Sequence, residues 1–222
     1  MALHSQGLAN KPNGKSSQQD VYETVEQIGC VQIDTLQMVQ RSQYLVLWSR
    51  LGSYDTSQFD DLLSGSSDAE NDRRLYEYWL HAACLIPLTD YRFSLPEMRQ
   101  RRESPNHWRK SWFAKSENRD LVDQVLSHVR ENGPSRSVDF DRGGPKRGAW
   151  WDWKPAKQAL EHLYNQGDLM VANRQKFQRV YDLKDRVLPG WVSQEEPTED
   201  EVTRHILEKS LLSLGVCELA QV

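Results

Sequence analysis

Apolar residues in the N-terminal part of the chain recur first at helical and then at strand spacing. Val21, Val25 and Ile28 stand four and three residues apart behind Ser16 and Ser17, which predicts a helix capped by one of those serines and ended by Gly29. In Cys30-Val31-Gln32-Ile33-Asp34 the period drops to two. Val31 and Ile33 then share one face of an extended strand and Gln32 and Asp34 the other, because side chains alternate along a strand. Two polar groups are thereby aimed the same way. The stretch from Gln37 to Leu51 predicts a helix presenting Val39, Leu47, Trp48 and Leu51 and stopping at Gly52. A shorter helix is expected around Phe59, Leu62 and Leu63, ending at Gly65, and Leu75 to Pro87 reads as a strand and a turn.

The second half is patterned more regularly. Leu121, Val122, Val125, Leu126 and Val129 fall on one face of a helix from about Arg119 to Glu131, which Asn132-Gly133-Pro134-Ser135 ends before a short helix near Ser137. A longer helix around Lys154 to Asn165 turns Ala156, Ala159, Leu160 and Leu163 inward, and Gly167 breaks it. Asp168 to Asn173 and Phe177 to Leu183 then read as two strands around Arg174-Gln175-Lys176. Three helices followed by a β-hairpin is a winged helix, a variant of the helix-turn-helix. Thr198-Glu-Asp-Glu201 is a capping box opening a last helix, with Val202, Ile206, Leu207, Leu211 and Leu214 on a face that needs a partner.

Charge adds a second layer. The net charge of −4 excludes a histone-like polycation binding nucleic acid by bulk charge. Its distribution is uneven: Arg92 to Arg186 carries 20 Lys+Arg against 13 Asp+Glu, leaving 8 against 19 for the rest of the chain. Within the basic part, Arg92, Arg99, Arg101, Arg102, Arg109, Lys110 and Lys115 interleave with Trp108 and Trp112 in an expected helical connector. Arginine and tryptophan mixed on one surface suit phosphate contacts and stacking, and describe equally an ordinary surface helix with its tryptophans tucked inward. No apolar run approaches the roughly 18 to 20 residues that span a bilayer, and no basic segment followed by an apolar stretch opens the chain. Cys30, Cys84 and Cys217 are odd in number and lack C-x-x-C spacing, which argues against a disulfide framework or a zinc site. A cytoplasmic protein with no cofactor and no metal is expected.

Five blocks carry chemistry when taken in order: Val31-Gln-Ile-Asp-Thr-Leu, Arg41-Ser-Gln-Tyr-Leu-Val-Leu-Trp-Ser-Arg50-Leu, Glu77-Tyr-Trp-Leu-His81-Ala-Ala (the Glu77-Tyr78-Trp79 stretch), Trp150-Trp-Asp-Trp-Lys154, and Phe177 to Pro189. Their sequence and spacing, over nearly the whole chain, resemble the YcaQ-type (AlkX-like) DNA glycosylases. The resemblance implies a bacterial repair enzyme of tandem winged helices, mainly α with small β wings (α+β), that releases N7-alkylated bases and unhooks interstrand crosslinks. The family's catalytic motif, a Gln, an apolar residue and then Asp or Gln, falls on Gln32 and Asp34. The family continues into a third winged helix after a helix such as the last one here. The expected divisions are therefore 1–90, a winged-helix-like unit with the Gln-Ile-Asp motif; 91–117, the basic connector; 118–192, the second winged helix; and 193–222, a helix opening an incomplete third unit.

The residues suit that chemistry on their own terms. An N7-alkylated guanine is cationic and already a good leaving group, so the sugar needs a carboxylate to stabilise its oxocarbenium-like state and to orient water. Asp34 can supply this, and the amide of Gln32 can both donate to and accept from that water. Arg41, Tyr44 and His81 are candidates to line the DNA channel, while Leu45, Trp48 and Leu51 read as core. Arg101, Arg102, Lys154, Lys157, Arg174 and Lys176 are candidate phosphate contacts. The expected partner is double-stranded DNA with alkylated or crosslinked purines, bound by a monomer and away from any membrane. Two other classes fit parts of the pattern: a winged-helix transcription regulator, which gives Gln32 and Asp34 no role, and a noncatalytic interaction module.

Overall fold

The computed structural model describes residues 1–9, 15–35, 37–65, 72–104, 107–140 and 155–216, apart from the side chains of Trp108 and Arg109. In chain order its elements are α1 (Ala2–Ser5), α2 (Gln18–Ile28), β1 (Val31–Gln32), α3 (Ser42–Leu51), α4 (Thr56–Ser64), β2 (Leu75–Trp79) and β3 (Ala83–Pro87). A 3-10 segment, Leu88–Ser94, precedes α5 (Leu95–Glu103), α6 (His107–Phe113) and α7 (Ser116–Asn132). After a second 3-10 turn at Ser137–Phe140 come α8 (Pro155–Asn165), β4 (Leu169–Gln175), β5 (Gln178–Leu183), α9 (Lys184–Val187) and α10 (Glu199–Leu214). The fold is mainly helical with small antiparallel sheets, and it divides into two compact units, one of residues 1–94 with 191–222, the other of residues 95–190.

The first unit is built around a three-stranded sheet in the order β1-β3-β2. Val21 and Val25 of α2, Leu47 of α3 and Phe59, Leu62 and Leu63 of α4 are buried with Val31, Leu75 and Leu85 of the sheet. Ser17 caps α2 through a reciprocal capping box with Asp20, and Gly29 ends the helix at φ +85°, a conformation open to glycine without strain. That sharp stop delivers the chain directly into β1. The other sheet face is also covered: Tyr76 hydrogen-bonds Ser94 at 2.7 Å and meets Tyr91 edge to face. α10 groups with this unit and packs on α2 and α1. No residue of α10 is buried, and Ile206, Leu207 and Leu211 of the face expected to need a partner are exposed.

α3 also departs from its pattern. It begins at Ser42 rather than Gln37, and the face it buries runs through Gln43 and Leu47. Val39, Leu45 and Trp48, expected inward, are exposed, Trp48 at 59%. The residues from Gln37 to Arg41 form a separate turn closed by an isolated antiparallel bridge between its ends, so Val39 never joins the helical face its spacing from Leu47 implies.

In the second unit, Val122, Val125 and Val129 of α7 face a core shared with Ala159, Leu160 and Leu163 of α8 and with Leu169, Val171 and Val180 of the hairpin. Ser135 pairs with Tyr181, adding a bridge beside β5 before the 3-10 turn. Arg186 reaches the C-terminal carbonyls of α7, donating to Val129 O at 3.1 Å, which also accepts from Gly133 N–H at 3.0 Å, and to Arg130 O at 2.6 Å, near the helix end where carbonyls lack intrahelical donors. The β4–β5 turn falls at Lys176 and Phe177, both left-handed with φ of 48° and 69°. Two successive positive φ values mark the hairpin turn that matches strand twist, usually filled by Asn or Gly. Here Arg174 holds it, donating to Phe177 O at 2.7 Å with its guanidinium 4.5 Å from the Phe177 ring.

Candidate active site and nucleic-acid interface

Burial over 31–34 alternates as the period of two implies, although the strand itself, β1, covers only Val31 and Gln32 and stops before Asp34. Val31 and Ile33 are buried, Gln32 is exposed and Asp34 half-buried. β1 is an edge strand: Val31 stands opposite Leu85 and Gln32 opposite Cys84 on β3, and Ile33 N–H donates to Ala83 O at 2.8 Å. Directly opposed residues share a face, so Gln32 lies on the face of Cys84 and Tyr78, whereas Glu77, opposite Leu85, belongs to the other. Glu77 is buried there.

The same register brings His81 to the end of the sheet where Asp34 emerges. β2 and β3 are joined by Leu80, His81 and Ala82, and Ala83, the first residue of β3, already bonds Ile33. His81 is exposed in that turn. Arg41, half-buried at the start of α3, donates to Thr35 O at 3.4 Å, tying the Gln37–Arg41 turn back to the residue after Asp34. Tyr44 is engaged elsewhere: its hydroxyl donates to Asp60 at 2.8 Å and its ring meets Phe59 edge to face. Burial pushes the Asp60 carboxyl up from its ordinary value despite that hydrogen bond. Beneath the edge strand, the Cys84 thiol shares a hydrogen bond with Cys30, which holds the Cys30 thiol down and pushes Cys84 up. Both are free thiols, and Cys217 lies outside the described residues.

The candidate phosphate contacts fall in the second unit. Arg101 is half-buried, donating to Asn165 Oδ1 at 2.6 Å and pairing with Glu97 at 2.5 Å, a role in joining α5 to α8. Arg102 is exposed and bonds Asp168 and Gln166 O, each at 2.9 Å. Lys157 lies on α8, 4.0 Å from Glu161. Arg174 is bound into the hairpin turn, and Lys176 is exposed at its tip. Lys154, with Trp150, Trp151 and Trp153, lies outside the described residues.

Sequence spacing did not single out what surrounds Arg102. An open cleft of about 450 Å³ is lined by Arg102, Lys110, Phe113, Ala114, Arg119, His162 and Gln166. Among the described residues three permanent cations and no carboxylate line it, Arg102 being paired with Asp168 beside it, and the Phe113 ring lies 4.2 Å from that of His162. Such a cleft suits an anion with an apolar neighbour. Lys110, Arg119 and His162 come from three different helices, so no local pattern announces them.

The residues that match a known family model run from 25 to 222, nearly the whole chain from the end of α2 onward, and the chain belongs to that family, DNA glycosylase AlkZ-like. The resemblance read from the five blocks thus holds at family level. It makes DNA the substrate and base release the reaction class. No solved structure matches the chain.

Proposed function

We propose that this chain hydrolyses the N-glycosidic bond of N7-alkylated purines in duplex DNA and unhooks interstrand crosslinks built on the same atom. The observation that carries the reading is the alternation at 31–34: exposed Gln32 in the edge strand and half-buried Asp34 just past its end, set between two buried apolar side chains. In this reading Asp34 stabilises the developing sugar cation and takes up the proton of the attacking water, which Gln32 positions. The water oxygen bonds to C1′, the C1′–N9 bond breaks, and its electron pair neutralises the cationic purine. No protonation of the base is required, so an acid opposite Asp34 is unnecessary.

An edge strand also suits a bulky lesion. The N7 atom faces the major groove, so an adduct there points away from an enzyme that approaches the sugar from the other side. A crosslinked base cannot be turned into a tight pocket, and Gln32 stands on an exposed edge rather than in an enclosed cavity. The units support a winged-helix reading through their order: helix, strand or bridge, two helical segments and a hairpin in each, α2 to β3 and α7 to β5. We read the molecule as acting as a cytoplasmic monomer, with the first unit holding the chemistry and the basic residues of the second gripping phosphates.

The test is direct. Duplex DNA containing N7-methylguanine, or a nitrogen-mustard crosslink, should accumulate abasic sites with the protein and show none with unmodified guanine. DNA left intact in the presence of soluble, folded protein refutes the reading.

A further inference from the structure

The turn between the Gln-Ile-Asp segment and α3 presents two apolar side chains to water. Met38 is 98% exposed and Val39 90% exposed. Single exposed apolar residues are ordinary on protein surfaces, but this pair is set apart by its setting. Gln37 and Arg41 pair across the base of the turn, so Met38, Val39 and Gln40 form a closed tip. The Gln40 side chain accepts from Arg41 N–H at 3.0 Å, and Arg41 in turn reaches Thr35 O at 3.4 Å. The tip is therefore built, with a cation at its base, and is tied to the residue that follows Asp34. A further exposed apolar residue, Leu80, stands in the β2–β3 turn at the end of the sheet where Asp34 emerges.

Resting on the reading that Gln32 and Asp34 face a nucleotide of duplex DNA, we infer that the Met38-Val39 tip is a wedge that enters the base stack beside that nucleotide. Apolar side chains inserted at a base step partly unstack it and kink the duplex. Met38 is the fourth residue after Asp34, a reach of at most about 14 Å, or roughly four base-pair rises. The wedge thus acts at or next to the lesion. It opens the helix without enclosing the base, which an edge-strand site acting on crosslinked purines requires. Arg41 at the base of the turn is placed to meet the phosphate beside the opened step.

The experiment uses the full chain and a duplex carrying N7-methylguanine flanked by 2-aminopurine, whose fluorescence rises when it is unstacked. Wild-type protein should raise the fluorescence on binding. The M38S/V39S variant should lose that rise while its duplex affinity changes little, and should release base from the paired duplex about 10- to 100-fold more slowly. Placing the lesion in a three-nucleotide bulge, where the stack is already open, should restore the variant to near the wild-type rate, and M38L/V39I should behave as wild type in both assays. No rise with wild type, an undiminished rise with M38S/V39S, or a loss of release equal in duplex and bulge overturns the wedge. A wild type that raises fluorescence but releases no base leaves the wedge standing and overturns the catalytic reading instead.

Discussion

Gln32 in the edge strand and Asp34 just past its end stand at alternate positions of one extended segment but differ in what they offer a transition state. Asp34→Asn keeps the shape and removes the charge, so base release should slow by roughly 10²- to 10⁴-fold, the range for loss of a positioned acid-base group. Gln32→Ala should slow it less, because a second water can replace part of what an amide does. Both are read by single-turnover release of N7-methylguanine, with duplex affinity measured in parallel and expected to hold. An Asn variant as fast as wild type removes Asp34 from the mechanism. These residues were legible in the sequence because a period of two needs only four positions to show itself, and Val31 and Ile33 supplied the buried half. Val39 and Trp48 misled for the converse reason: their spacing fits one helix, but a bridge between Gln37 and Arg41 ends the turn before the helix starts.

Among the elements, α2 sets where β1 begins. Its N-terminus is held by Ser17, whose hydroxyl accepts from Asp20 N–H at 3.2 Å while the Asp20 carboxylate accepts from Ser17 N–H at 2.7 Å. Ser17→Ala should cost about 1 kcal/mol in urea unfolding, the usual worth of such a cap, and leave release from folded protein unchanged. α10 offers a pH-dependent counterpart. The His205 ring stacks on Phe93 at 3.7 Å, and burial there holds its pKa below the ordinary 6.5 even though Asp90, 3.8 Å away and itself paired with Lys209 at 2.8 Å, pulls it upward along with Glu208. A folded state that binds the proton more weakly than the unfolded one gains stability as pH rises through 6.5 and loses it on acidification. The urea midpoint should fall between pH 7 and pH 5, and His205→Phe, which keeps the stack and cannot titrate, should flatten that fall. A serine cap for α2, at Ser16 or Ser17, and the capping box of α10 were readable from a few residues each; that Ser17 and Asp20 form a reciprocal box was not. The exposure of the α10 apolar face was not, because amphipathic spacing states which side is apolar and not whether anything covers it.

At the scale of the whole molecule, affinity for DNA has to come from a few local cations, since the net charge of −4 opposes binding. Basic residues were visible in the sequence as an excess between Arg92 and Arg186, but which of them converge depends on the packing of α5, α6, α7 and α8. Arg101 is spent on Asn165 and Glu97, whereas Lys110 and Arg119 line one cleft with Arg102, which is itself paired with Asp168. If that cleft holds a backbone phosphate, Lys110→Glu and Arg119→Glu should weaken binding to every duplex alike, because phosphates carry no sequence. The slope of log affinity against log salt should also become shallower by about 0.9 for each phosphate that the variant no longer neutralises. A fluorescence-anisotropy titration over several salt concentrations, on two duplexes of unrelated sequence, reads both effects. Arg101→Ala should instead lower stability by loosening α5 from α8, with the salt slope unchanged. Weakening confined to one duplex would point to base readout and so to the transcription regulator that the winged-helix pattern also fits. An unchanged slope in both variants would remove the cleft from the DNA path while leaving the chemistry of Gln32 and Asp34 to be judged by base release.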